Sequence, residues 1–157
     1  MCKKNNLNIA IVLDNIRSMH NIGSIFRTCD AIGNCTIYLC GICAIPPNKN
    51  IHKTALGATE SVNWKYYETT FLAVAKLKKN NYQTIAVEQT KNSRPLSNFS
   101  TKNKKIALIF GNEVNGVSNE IIQQVDDCIE IEQHGIKKSI NVSVAAGIVL
   151  WSIRNSS

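Results

Sequence analysis

At 157 residues, with 44% hydrophobic and 18% charged side chains, the chain is sized for one domain over residues 1–157 with a real core and no staple. Eighteen Lys+Arg against eleven Asp+Glu leave a net charge of +7, which suits a polyanionic partner and equally plain solubility. No apolar run approaches the ~20 residues that span a bilayer, and the N-terminus lacks a leader's apolar core, so a cytoplasmic protein without a membrane partner is expected.

The chain opens with a buried strand, Asn8 to Leu13, short and rich in Ile, Val and Leu, as a parallel strand covered on both faces should be. A helix is expected from about Ile22 to Ile32, because Ile22, Ile25, Phe26, Cys29 and Ile32 recur at three- and four-residue steps. Asn21 is placed to cap it, and Gly33 to close it in αL geometry. Cys35 to Cys40 reads as a second strand, Gly41 to Lys53 as a loop, His52 to Ala58 as a helical turn, and Trp64 to Tyr67 as a short extended piece. Thr70 to Asn80 is an amphipathic helix and Gln83 to Glu88 a third strand. Gln89 to Lys104 reads as a loop with a turn of helix, and Lys105 to Phe110 as a fourth strand. Ser118 to Val125 is a short helix with Ser118 as N-cap, Asp127 to Ile131 a fifth strand, and the last helix runs from about Asn141 to Arg154. Strands alternating with helices argue an α/β domain with a mostly parallel sheet flanked by helices.

Six cysteines do not make a disulfide framework in a chain of this length, since most sit inside apolar runs where buried thiols are common. The Cys40-Gly41-Ile42-Cys43 spacing lacks the second ligand pair of a zinc site. It also lacks the following helix of a thioredoxin-type site, since Pro46-Pro47 comes next. His20, His52 and His134 are scattered, so no metal is expected. Dinucleotide, P-loop, metalloprotease and nucleophile-elbow signatures are missing.

Three polar clusters remain at strand–loop–helix junctions. His20 to Asp30 can be read as a capped amphipathic helix with a solvated Arg27. Ile109 to Gly116 brackets Asn112 and Glu113 between two glycines at a strand's end, either a simple turn or a backbone nest for a ligand. Ser139 to Ala146 places small polar residues at a helix mouth, where backbone N–H groups are free to receive a ligand.

Together, Asn-x5-Arg from Asn21 to Arg27, a strand followed by GNExxG from Gly111 to Gly116, and SxNVSxA from Ser139 to Ala145 resemble the three motifs of the SpoU RNA ribose 2′-O-methyltransferases, which are trefoil-knotted SPOUT enzymes. The segments 13–33, 52–64 and 128–151 resemble family sequence as well, so the likeness covers nearly the whole chain; Ile140 stands where Leu is usual. The resemblance implies a deep C-terminal trefoil knot, against the general avoidance of knots. It also implies a homodimer with the active site completed across the interface, and S-adenosylmethionine bound bent in the knot by loop backbone. The implied cofactor residues are Glu88, Phe110, Gly111, Asn112, Ile131, Gln133, Ser139 and Ile140, within the loops 88–89, 110–112, 131–134 and 139–140. The implied catalytic set is Arg27, Asn21, Glu113, Ser139 and Asn141.

Methyl transfer to a ribose hydroxyl is an in-line displacement that needs alignment and removal of a proton. In the family proposal the arginine is the base. A free guanidinium is a poor one, and a grip on phosphate or on the developing alkoxide suits it better. Arg17, Lys53, Lys137 and Lys138 are expected to hold RNA, with tRNA favoured over rRNA because no further RNA-binding domain is evident. Ala145, Ala146 and Gly147 are expected where helices approach closely, at a dimer interface or in the knot core. The competing readings are a base-directed knotted methyltransferase, a non-catalytic RNA-binding module of the same fold, and an unrelated small α/β binding protein.

Overall fold

The structure, a computed structural model, describes residues 6–156. Seven strands form one sheet: β1 (Asn8–Asp14), β2 (Cys35–Cys40), β3 (Asn63–Tyr67), β4 (Gln83–Val87), β5 (Arg94–Pro95), β6 (Lys105–Phe110) and β7 (Asp127–Glu130). Their spatial order is β3-β2-β1-β6-β4-β7-β5, and every ladder is parallel. Six helices cover it: α1 (Met19–Ile32), α2 (Lys49–Ala55), α3 (Ala58–Ser61), α4 (Thr70–Lys79), α5 (Asn119–Gln124) and α6 (Val142–Asn155).

Strand alternation divides the core into two layers of different depth. Ile9, Ile11 and Leu13 of β1 and Ile106, Leu108 and Phe110 of β6 face one side, where α1, α2 and α6 bury Ile22, Phe26, Ile51, Ala146 and Leu150. The intervening Ala10, Val12, Ala107 and Ile109 face α4 and α5, against Val74, Leu77 and Ile121. Buried on both faces, these strands carry the continuous apolar runs that a parallel sheet demands.

Several boundaries differ from expectation. Helix α1 begins at Met19, and its N-cap is Ser18, whose hydroxyl accepts from the Asn21 amide at 3.1 Å. Both residues have cap chemistry, and Ser18 wins by sitting three residues earlier, which leaves the Asn21 side chain for other work. Gly33 closes α1 at φ 76° and ψ 158°, a positive φ outside the αL basin. The expected turn at 52–58 is two helices. Asn48 caps α2 by accepting from the Asn50 and Ile51 amides at 2.9 and 3.1 Å. Ser118 holds the N-cap position of α5 without a side-chain cap bond. Within 89–104, Arg94–Pro95 adds the edge strand β5 beside β7, and Leu96–Asn98 makes one 3-10 turn.

Within the chain, helices α1 and α2 approach closely at Gly23 of α1. A Cβ there would meet Thr54 Oγ1 at 2.0 Å and the Ile51 carbonyl at 2.3 Å, whereas one at Gly147 would meet nothing within 4 Å. Ala146 is buried in the core and Ala145 packs against it. Cys40 and Cys43 are buried free thiols. Cys43 Sγ accepts from the Ile16 amide at 3.2 Å and donates to the Leu13 carbonyl at 3.4 Å. Burial first, then the neighbouring Cys43, pushes the Cys40 thiol up to about 12, the wrong direction for a reactive thiolate. Cys2 lies outside the described residues.

Candidate active site

The loops after β4, β6 and β7 meet the segment that leads into α6 and enclose a cavity of about 590 Å³. Its wall contains Glu88, Phe110, Gly111, Asn112, Ile131, Gln133, Ser139 and Ile140, together with Glu113 and Asn141. It also contains Lys138, Val87, Glu130, Val142 and the 114–116 turn, none of them in the expected cofactor set. His134, from one of the expected loops, does not line it. The pocket sits outside the carboxyl ends of the strands, where open α/β sheets receive ligands.

Glycine and asparagine build the floor. A Cβ on Gly111 would lie 2.1 Å from the Gly116 carbonyl carbon, so strand β6 can turn back on itself only with glycine there. Gly116 has φ 66°, and a Cβ on it would strike Glu88 Oε2 at 2.1 Å. Asn112 and Gly116 exchange backbone hydrogen bonds of 3.1 and 2.8 Å. The Asn112 side-chain oxygen accepts from the Val114 and Asn115 amides at 2.9 and 3.2 Å. Glu88 accepts from the Val117 and Gln89 amides at 2.9 and 3.0 Å, so its carboxylate pins the turn that it lines.

Glu113 reaches out of the turn to the start of α1. Its two oxygens accept from the Arg17 and Ser18 amides at 3.2 and 3.1 Å. Burial raises its pKa, but bonds from the backbone N–H groups of Glu113, Arg17 and Ser18 and from the Asn21 side chain outweigh that and hold it below the usual carboxylate range. A carboxylate at a helix start also meets the positive end of the dipole. The Asn21 oxygen in turn accepts from Asn141 Nδ2 at 3.1 Å. Asn141 Oδ1 caps α6, accepting from the Ser143 and Val144 amides at 2.8 and 3.4 Å. Glu113, Asn21 and Asn141 thus form one polar chain that joins the cavity turn, α1 and α6.

Arg27 is not part of that chain and does not line that cavity. It is exposed on α1 and lines a second cavity of about 810 Å³ between α1, α2 and α6, with Lys53, Ser24, Thr54 and Trp151. Of the expected RNA contacts, Lys138 is at the first cavity and Lys53 at the second; Arg17 and Lys137 are exposed. Among the described residues, no three His, Cys, Asp or Glu side chains gather as a metal site.

The sequence model of the SpoU rRNA Methylase family matches residues 8–151. The chain belongs to the SpoU family. It is 35% identical over 155 residues to a tRNA (guanosine(18)-2'-O)-methyltransferase of Aquifex aeolicus, covering 95% of this chain and 70% of that one. A protein of the same description from Borreliella burgdorferi is 29% identical, and this SpoU chain spans 65% of its length. Among solved structures, an AdoMet-bound rRNA methyltransferase from Sinorhizobium meliloti superposes with a TM-score of 0.86 at 26% identity, over 94% of this chain and 56% of that one. The A. aeolicus TrmH/SpoU tRNA modifying enzyme gives 0.82 at 28% identity, over 98% and 76%.

Proposed function

We propose that this SpoU chain transfers a methyl group from S-adenosylmethionine to a ribose 2′-hydroxyl of RNA, with tRNA preferred over rRNA. The observation that carries this reading is the single cavity lined by all eight expected cofactor residues. Its size fits a nucleoside-sized ligand, and Ile131 and Ile140 offer apolar faces to an adenine. Bound there, S-adenosylmethionine supplies an electrophilic methyl on a sulfonium. The chain's own residues supply alignment, which is worth up to ~7–11 kcal/mol in such a displacement.

Ser139 and Asn141 stand at the cavity rim, at the mouth of α6. Glu113 and Asn21 position rather than react, because the glutamate's oxygens are taken by backbone donors. A guanidinium donates and cannot accept, so Arg27 steadies a phosphate or the developing alkoxide, with Lys53 beside it. Since Arg27 lines a different cavity from Ser139, the reading includes a homodimer in which Arg27 of one protomer serves the cofactor pocket of its partner. The exposed apolar residues Val144, Ile148 and Trp151 of α6, next to Arg27's cavity, support that dimer. The reading also includes the C-terminal knot, supported by segment 131–141 closing the pocket against the loops after β4 and β6 before α6 returns to pack on α1. A cytoplasmic location belongs to the same proposal.

The test is nucleoside mass spectrometry on tRNA and rRNA incubated with the protein and methyl-labelled S-adenosylmethionine. A labelled 2′-O-methylnucleoside from tRNA is expected. Label on a base, or none on either RNA from protein that binds the cofactor, overturns the reading.

A further inference from the structure

Below the cavity turn lies a polar pair that touches neither cavity. Asp14, at the carboxyl end of β1, is only 4% exposed. A buried carboxylate needs donors, and it has two: Thr70 Oγ1 at 2.6 Å and Asn15 Nδ2 at 3.0 Å. Asn15 has φ 54°, in the left-handed region where asparagine and aspartate are the non-glycine residues best tolerated. Its side-chain oxygen accepts from the Ile42 amide at 3.1 Å and occupies the space where Gly41 would carry a Cβ, 2.0 Å away. With both side-chain atoms held, the Asn15 carbonyl is aimed, and it accepts from Asn112 Nδ2 at 2.6 Å. That bond fixes which way the Asn112 amide faces, and so sends its oxygen to the Val114 and Asn115 amides.

We propose that Asp14 and Asn15 are positioning residues for the cofactor site, setting the 111–116 turn through Asn112 while touching no ligand. The chain runs from Thr70 on α4 through Asp14 and Asn15 to Asn112, so it ties the cavity floor to the helix layer on the far face of the sheet from α1. Thr70 and Asp14 are buried, which shields their bond from competing water. This inference rests on the reading of the 590 Å³ cavity as the S-adenosylmethionine site.

The pair can be inverted. Asn15→Asp alone removes the donor to Asp14 and sets two carboxylates side by side. Asp14→Asn alone keeps a side-chain oxygen that still accepts from Asn15 Nδ2 and Thr70 Oγ1, so it is the mild member of the set. Asp14→Asn with Asn15→Asp restores one donor and one acceptor in reversed order, still allows Thr70 to donate, and still offers the Ile42 amide an oxygen. Affinity for S-adenosylmethionine is measured by calorimetry well below each variant's melting temperature, where a residue that only held the fold together would leave the affinity of folded protein unmoved. Asn15→Asp is expected to weaken binding about tenfold, or about 1.4 kcal/mol, and the double variant to return within about threefold of the original. Asn15→Asp with unchanged affinity overturns the inference, as does a double variant that fails to fold or binds no better than Asn15→Asp alone. If the unaltered chain itself binds no S-adenosylmethionine, the reading of the cavity falls, and the inference with it.

Discussion

Glu113 is a carboxylate whose strength is spent on backbone. Its oxygens hold the Arg17 and Ser18 amides at the start of α1, and the Asn21 side chain joins them. Its folded pKa is depressed, so it contributes stability above its unfolded pKa, and that contribution is lost as the pH falls through the folded value. Glu113→Gln should therefore cost about 1 kcal/mol at neutral pH, once exposure to solvent is discounted. The melting-temperature gap between the two proteins should be flat from pH 7 down to about 4.5 and close below that. A gap that does not narrow at all as the pH falls below about 4.5 would contradict this assignment. Arg27 behaves differently, because it holds no loop of the cofactor cavity. Arg27→Ala is expected to leave S-adenosylmethionine affinity within about twofold by calorimetry and to cut turnover on RNA at least about 100-fold; near-full turnover would remove it from the chemistry.

Helices α1 and α2 meet at Gly23, whose missing Cβ leaves room for Thr54 Oγ1 and the Ile51 carbonyl. Gly23→Ala should cost about 1–3 kcal/mol by overpacking, a fall of roughly 2–4 °C per kcal/mol in a chain of this size. Adding Thr54→Ala should not rescue it, because the Ile51 carbonyl is backbone and cannot turn away. A Gly23→Ala protein that melts with the original would show that the two helices are free to part. At this scale much is legible in the sequence. Strands buried on both faces announce themselves as unbroken apolar runs, and β2 and β6 fall on the expected residues. The start of α1 lies earlier than expected because Ser18 and Asn21 share cap chemistry and only geometry chooses between them. Helix α2 was blurred because seven mostly polar residues carry little periodicity, although Asn48 before them is an N-cap signal. Strand β5 is two residues long and exists only because β7 lies beside it. In the site, the motifs named which residues gather, but not that Glu113 and Asn112 turn to the β1–α1 segment. That depends on distant parts of the chain becoming neighbours across β1 and β6.

The distribution of apolar surface around α6 concerns the whole molecule. One face, Ala146, Val149, Leu150 and Ile153, is buried in the core. The other carries Val144, Ile148 and Trp151, at positions that share a helix face, exposed by 52%, 41% and 65%. A helix apolar on both sides belongs between two packed surfaces, and the described residues supply one. The cavity beside that bare face holds Arg27 and Lys53, while Ser139 lies at the other cavity. A second copy seated on Val144, Ile148 and Trp151 would cover the stripe and carry its own Arg27 towards the first copy's cofactor. Trp151→Asp tests both halves of that idea. The side chain is largely exposed, so the fold should survive with a melting temperature within a few degrees, and S-adenosylmethionine affinity should stay within about threefold, because Trp151 is not at that cavity. A buried aspartate pair at a two-fold interface is costly, so sedimentation should show monomers. Methyl transfer should fall about 100-fold or more, as expected when a catalytic group is displaced. A Trp151→Asp dimer would clear this face of any role in assembly. A Trp151→Asp monomer with full turnover would place Arg27 in the site of its own chain and end the shared-site reading.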